Sequence, residues 1–172
     1  MNNNLKEKLA GIELLIFDVD GVLTDNSVLI GPDGWEMKKF NIADGLGIHL
    51  ALKHGIKIAF LSGRPSRATE IRARELGVVD VIQKPVNKLQ GYRELAAKYG
   101  ISDRHTAFAG NDIVDIEAMA ASGVAFAVPD SPAAVLEIAD YITRNRGGEG
   151  AVREIIDMVL EAKGIDEKKR LA

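Results

Sequence analysis

Two aspartates one residue apart, Asp18 and Asp20, close an apolar run and are followed by glycine in the string FDVDGVLT. Carboxylates held this close repel one another, so the pair calls for a shared proton or a cation. Hard oxygen donors favour Mg²⁺, which also binds phosphate oxygens. One aspartate can attack phosphorus as a nucleophile, forming an acyl phosphate that water later hydrolyses. The other can protonate a leaving alcohol and then deprotonate the attacking water. Gly21 allows a sharp backbone exit and leaves room for a phosphoryl group. Asp-x-Asp alone is also an ordinary surface turn. The complete string after an apolar strand is the specific signal.

Three further groups stand at the ends of apolar runs. Ser62 follows 56–61 (IKIAFL) and precedes Gly63 and Arg64; a hydroxyl with neighbouring backbone N–H groups can hold phosphoryl oxygens. Lys88 opens a helical stretch after QKPVN, where its ammonium can neutralise nucleophile and phosphate together. The string AFAGNDIVD places Asn111, Asp112 and Asp115 after another strand. There an oxygen ligand can complete a metal site while a carboxylate fixes Lys88. Helix capping by Asn111 and Asp112 is the plainer reading of the same residues. Singly these are a turn, a surface lysine and a cap; all four in this order form a constellation.

The elements that must position them alternate. Segments 12–17, 56–61, 78–82, 106–109 and 124–128 read as buried strands, and 44–54, 66–76, 88–99 and 112–121 show helical spacing. Gly55, Gly77, Gly100 and Gly123 each follow a helical stretch, where a positive φ is expected. Strand alternating with helix implies an α/β fold, a parallel sheet covered by helices on both faces. In such sheets ligands bind beyond the carboxyl ends of the strands, where all four groups lie. Segment 28–40 (VLIGPDGWEMKKF) breaks the rhythm as a β-hairpin inserted after the first strand. The expectation is one domain over 1–172, with the insert at about 22–40. A glycine-rich turn and a last helix follow at about 144–163, and 166–170 reads as a solvated tail.

Composition narrows the function classes. With 47% hydrophobic and 27% charged residues in 172, the chain is a globular domain with a real core. A net charge of −3 disfavours nucleic acid as a partner. The lack of cysteine excludes disulfides, thiolate zinc sites and thiol nucleophiles. No apolar run is long enough for a signal peptide or a bilayer span, so a cytoplasmic enzyme without a membrane partner is expected.

With these residues in place, the chain resembles the haloacid dehalogenase superfamily of phosphohydrolases along essentially its whole length. The hairpin without a later cap domain is similar to the capless branch, with its Rossmann-like fold. The resemblance implies that Asp18 is nucleophile and metal ligand. It implies that Asp20 is acid/base and gives its backbone carbonyl to Mg²⁺, with Asn111 as a further ligand. Ser62 and Lys88 then bind the phosphoryl group, and Asp112 and Asp115 support the site. The substrate would be a small phosphorylated sugar acid contacted by Asn41, Ile42, Ala43, Asp44, Gly45, His49, Arg64 and Arg72. An arginine fork suits a sugar carboxylate. Related enzymes for nine-carbon acids tend to carry Glu where Arg64 stands, which favours an eight-carbon acid of lipopolysaccharide synthesis. The family's subunits form homotetramers in which hairpins pack together, and Trp35 would join that contact. Segment 146–155 (RGGEGAVREI) is similar to a tail that reaches a neighbouring active site. The departures are Asn111 where Asp is usual, Ala43 and His49 where arginines are common, and Lys84 where glycine is. They touch metal and sugar recognition and leave the Asp pair intact. A signalling receiver domain is disfavoured, because its phosphoacceptor sits on a middle strand and its lysine near the chain's end. A weak module that only binds sugar phosphates would lack turnover.

Overall fold

The computed structural model describes residues 3–165; the stretch 166–170 lies outside the described residues. In chain order the elements are α1 (Asn3–Ala10), β1 (Leu14–Phe17), β2 (Leu29–Ile30), β3 (Glu36–Met37), α2 (Ile42–Lys53), β4 (Lys57–Ser62), α3 (Arg67–Leu76) and β5 (Asp80–Gln83). They continue with α4 (Lys88–Tyr99), β6 (Thr106–Gly110), α5 (Ile116–Ala121), β7 (Val124–Ala127), α6 (Ala133–Ile138), β8 (Tyr141–Ile142) and α7 (Ala151–Ala162). Six strands form one parallel sheet in the order β5-β4-β1-β6-β7-β8.

β1 lies between β4 and β6, with Phe17 opposite Phe60 and Ala109. All four of its residues are buried because the sheet is covered on both faces. Leu15 and Phe17 face a layer completed by α1, α2 and α7, whereas Leu14 and Ile16 face α4 and α5. This is the α/β architecture the alternation predicts. α1, α6 and β8 were not legible from it.

One glycine differs from expectation. Gly55, Gly77 and Gly100 have positive φ, but Gly123 does not. A Cβ at Gly123 would lie 2.6 Å from the Arg104 carbonyl oxygen, so the position needs a missing side chain rather than a left-handed backbone.

The hairpin forms as predicted, with Leu29 opposite Met37 and Ile30 opposite Glu36. Leu29, Ile30, Trp35 and Met37 are exposed. Among the described residues no helix is long and apolar enough to cross a membrane.

Candidate active site

β1 ends at the lip of the sheet, and the Asp18 N–H still donates to the Ala109 carbonyl (2.9 Å), which fixes the buried Asp18 there. The chain then turns sharply, with Gly21 at φ 95°. A Cβ at Gly21 would fall 2.1 Å from the Asn111 amide, so glycine serves both the turn and that contact. Beneath the turn lies the glycine-rich segment. The Gly148 N–H donates to the Val22 carbonyl (3.0 Å), and a Cβ at Gly147 would overlap the Gly21 oxygen at 1.8 Å. Two glycines thus let this segment approach the Asp18–Asp20 loop of its own chain, and Ala151 opens the expected last helix, α7.

Lys88 is the first residue of α4, where Asn87 caps the helix by accepting from the Gln90 N–H (2.7 Å). Its buried ammonium donates to Asp18 Oδ1 (2.6 Å) and Asp115 Oδ1 (2.7 Å). The second Asp115 oxygen accepts from the Asn111 and Asp112 N–H groups (3.0 and 3.1 Å) and shapes that loop. Asp112 in turn caps it by accepting from the Ile113 N–H (2.7 Å). Burial pushes the Asp18 carboxyl up to about 7, against the opposing pull of Lys88. Burial alone would lower the Lys88 ammonium, but Asp18 and Asp115 outweigh it and hold it above its ordinary range. Lys88 is therefore a permanent cation. The buried Ser62 hydroxyl donates to the Arg64 carbonyl (2.9 Å) and accepts from the Arg64 N–H (3.2 Å). The cleft above is lined by Asp18, Asp20, Asn26, Ser27, Val28, Gly63, Arg64, Lys88, Asn111, Asp112 and Val114.

The Asn111 amide faces the Asp20 carbonyl oxygen at 2.8 Å and Asp18 Oδ2 at 3.0 Å when its nitrogen is turned to donate to both. Turned the other way, its oxygen joins two others at that spacing. Adjacent ligands of an octahedral ion with metal–oxygen bonds of about 2.0–2.1 Å are separated by about 2.9 Å. Three hard oxygens so placed repel unless a cation sits among them, so the donor set fits Mg²⁺. Among the described residues no three His, Cys, Asp or Glu side chains form a metal cluster; the donors here are a carboxylate, a main-chain carbonyl and an amide.

A family model of haloacid dehalogenase-like hydrolases matches residues 69–156. The chain is 39% identical over 170 residues to 3-deoxy-D-manno-octulosonate 8-phosphate phosphatase of Salmonella typhi, covering 98% of this chain and 90% of that one. It therefore belongs to the haloacid dehalogenase-like hydrolases. The solved phosphatase of the same description from Yersinia pestis aligns with a TM-score of 0.94 at 38% identity, covering 96% and 89% of the two chains. That from Moraxella catarrhalis, in complex with magnesium, phosphate and 3-deoxy-D-manno-octulosonate (KDO), aligns at 0.96 with 35% identity, covering 99% of each.

Not every residue singled out in this hydrolase reaches the cleft. Asn41 caps α2, accepting from the Ala43 and Asp44 N–H groups (2.7 and 3.2 Å). Its amide donates to the Gly148 carbonyl (3.3 Å). Arg72 donates to the Asn41 carbonyl (3.2 Å), lies over the Phe40 ring and closes off Gly45. Ile42, Ala43 and His49 are exposed on α2. None of these residues lines the cleft around Asp18 within one chain.

Asp44 is buried, with Oδ1 accepting from the Arg153 N–H (2.7 Å) at the start of α7 and Oδ2 without a partner. Burial pushes its carboxyl up to about 6. A raised carboxyl binds its proton more tightly folded than unfolded, so its contribution is present at low pH and is lost as pH rises through about 6. The stability of Asp44→Asn relative to the native chain should rise between about pH 4 and 7 by up to about 3 kcal/mol. Urea denaturation across that range measures it, and a pH-independent difference would refute it.

Two residues of the hydrolase's site escaped sequence reasoning. Glu36 accepts from Arg64 Nη2 and the Ser66 hydroxyl (both 2.5 Å), and Lys38 Nζ lies 2.7 Å from Asp20 Oδ1. The strand's period of two carried the signal: in WEMKK the charged Glu36 and Lys38 share one face, and Trp35 and Met37 the other.

Proposed function

We propose that this hydrolase releases phosphate from 3-deoxy-D-manno-octulosonate 8-phosphate, with Mg²⁺, through a phosphorylated Asp18. The observation that carries the reading is the buried Lys88 bridge between Asp18 and Asp115 beside the oxygens of Asp20 and Asn111. The magnesium, phosphate and KDO bound by the Moraxella catarrhalis phosphatase support the substrate and the metal.

Asp18 attacks phosphorus in line through Oδ1, beside which Lys88 balances the charge on the phosphoryl oxygens, while Oδ2 stays with the metal donors. The backbone N–H of Gly63 in the cleft wall and the Ser62 hydroxyl, once it gives up the Arg64 carbonyl, orient those oxygens. Asp20 protonates the departing sugar oxygen, then takes a proton from the water that attacks phosphorus and frees Asp18. Asp18, the Asp20 carbonyl and Asn111 would hold Mg²⁺, which would supply charge neutralisation to nucleophile and phosphate. Asp112 and Asp115 shape the loop. Arg64 serves the sugar carboxylate once that group replaces Glu36.

Because the Asn111 amide is uncharged and can satisfy the metal-free site through its nitrogen, Asn111→Asp should bind Mg²⁺ at least roughly tenfold more tightly. Calorimetric titration without substrate measures this; unchanged affinity would remove residue 111 from the ligand set.

The exposed apolar face of the hairpin supports self-association, with Trp35 in the contact, and we assign a homotetramer in the cytoplasm. Sedimentation tests the assembly. Steady-state kinetics on a panel of sugar-acid phosphates, with Mg²⁺ or EDTA, tests the substrate. The expected result is Mg²⁺-dependent turnover with the highest kcat/KM on the eight-carbon 8-phosphate. A higher value on a nine-carbon 9-phosphate, or turnover in EDTA, would contradict the reading.

A further inference from the structure

The hairpin contributes one cation that none of the roles above uses. Lys38, just past β3, has a side chain with no solvent exposure at all. Lysine is almost never fully buried unless its ammonium is paired, and here the partner is Asp20 Oδ1 at 2.7 Å. The other neighbours are Thr69 Oγ1 at 3.5 Å, which accepts from Nζ, and a Glu36 oxygen at 4.0 Å. The Asp20 side chain remains about a quarter exposed and lines the cleft. We infer that Lys38 is a positioning residue that anchors one oxygen of Asp20 so that the other is aimed at the leaving oxygen of the substrate.

The inference rests on the proposed acid/base role of Asp20 and extends it to the hairpin. Asp20 has two duties that pull apart. Its backbone carbonyl points towards Asn111 and Asp18, while its carboxyl must stay off that oxygen cluster to deliver a proton. A fixed ammonium on the hairpin side draws the carboxyl away and leaves Oδ2 without another partner among the described residues. Nor is Lys38 needed to pin the hairpin, since Glu36 already ties it to Arg64 and Ser66. In the first half-reaction the Asp18–phosphorus bond forms and the bond to the leaving oxygen breaks as that oxygen takes the Asp20 proton. In the second, water gives its proton to Asp20 as its oxygen bonds phosphorus and the Asp18–phosphorus bond breaks. A carboxyl that is present but badly aimed slows the first step only where the leaving group needs a proton.

The test compares kcat/KM, which reports phosphorylation of the enzyme, for two leaving groups in the native chain, Lys38→Met and Lys38→Arg. For the sugar-acid phosphate, whose alkoxide cannot leave unprotonated, Lys38→Met should lose about 10²- to 10³-fold. For p-nitrophenyl phosphate, whose phenolate leaves without a proton, the loss should stay below about tenfold. Lys38→Arg should recover most of the alkyl activity. Lys38→Gln, also uncharged, should show the same alkyl-selective loss and stands in if the Met variant does not fold. Equal losses on both substrates, or no loss on either, would overturn the inference. A native chain inactive on the sugar phosphate would count against the substrate alone, and the alkyl arm then uses a simple primary alkyl phosphate.

Discussion

An Asp18→Asn variant should fold normally and lose turnover by at least about 10⁴-fold, because removing an attacking group forfeits the covalent route. The side chains are nearly isosteric, and the backbone position is held by the Ala109 carbonyl independently of the carboxylate. Stability should not fall. Burial already pushes this carboxyl up to about 7, which marks its charge as costly to the folded chain, and Lys88 keeps Asp115 as a partner. Steady-state phosphatase assays with saturating Mg²⁺, together with thermal melts, measure both halves. Activity within about tenfold of the native chain would exclude Asp18 as nucleophile.

The second large effect belongs to Lys88→Met. Lys88 is the cation shared by two buried carboxylates, and removing one partner of a buried ion pair typically costs about 3–5 kcal/mol. The loss here belongs at the upper end, because Asp18 and Asp115 would face each other with nothing between them. Turnover should fall by more than about 10³-fold, since the charge opposing the transferring phosphoryl group goes too. The defect should be partly repaired by metal: Mg²⁺ binds only the folded site, so millimolar Mg²⁺ should stabilise the variant through mass action. Urea denaturation with and without Mg²⁺ measures this. A destabilisation below about 1 kcal/mol would mean that the two carboxylates do not depend on Lys88.

Much of the site was legible because its groups sit where an apolar run stops. β1, β4 and β6 are buried on both faces, so LLIF, KIAFLS and TAFAG stand out, and the polar residues after them mark the lip of the sheet. That brings Asp18, Ser62 and Asn111 to one edge, and the start of α4 adds Lys88. What the pattern hid depends on contacts between distant segments. Nothing local says that Gly147 must fit against Gly21, that Glu36 reaches Arg64, or that Asp44 meets the start of α7. β8 has two residues and α6 six, too short for a periodicity to declare itself. The resemblance makes Asn41 a substrate contact, and its N-cap role at α2 went unread although an Asn before a helical run is the local signal for it.

The most direct test of the central claim is chemical trapping of the phosphorylated aspartate. The enzyme is mixed with Mg²⁺ and sugar-acid phosphate, quenched in acid and reduced with borohydride, which converts an acyl phosphate to an alcohol. Peptide mass spectrometry should then find homoserine at position 18, absent when Mg²⁺ or substrate is omitted and absent from Asp18→Asn. Modification at another residue would contradict it, as would an unmodified Asp18 in Asp20→Asn quenched with p-nitrophenyl phosphate, whose leaving group needs no proton so that only the second step is slowed.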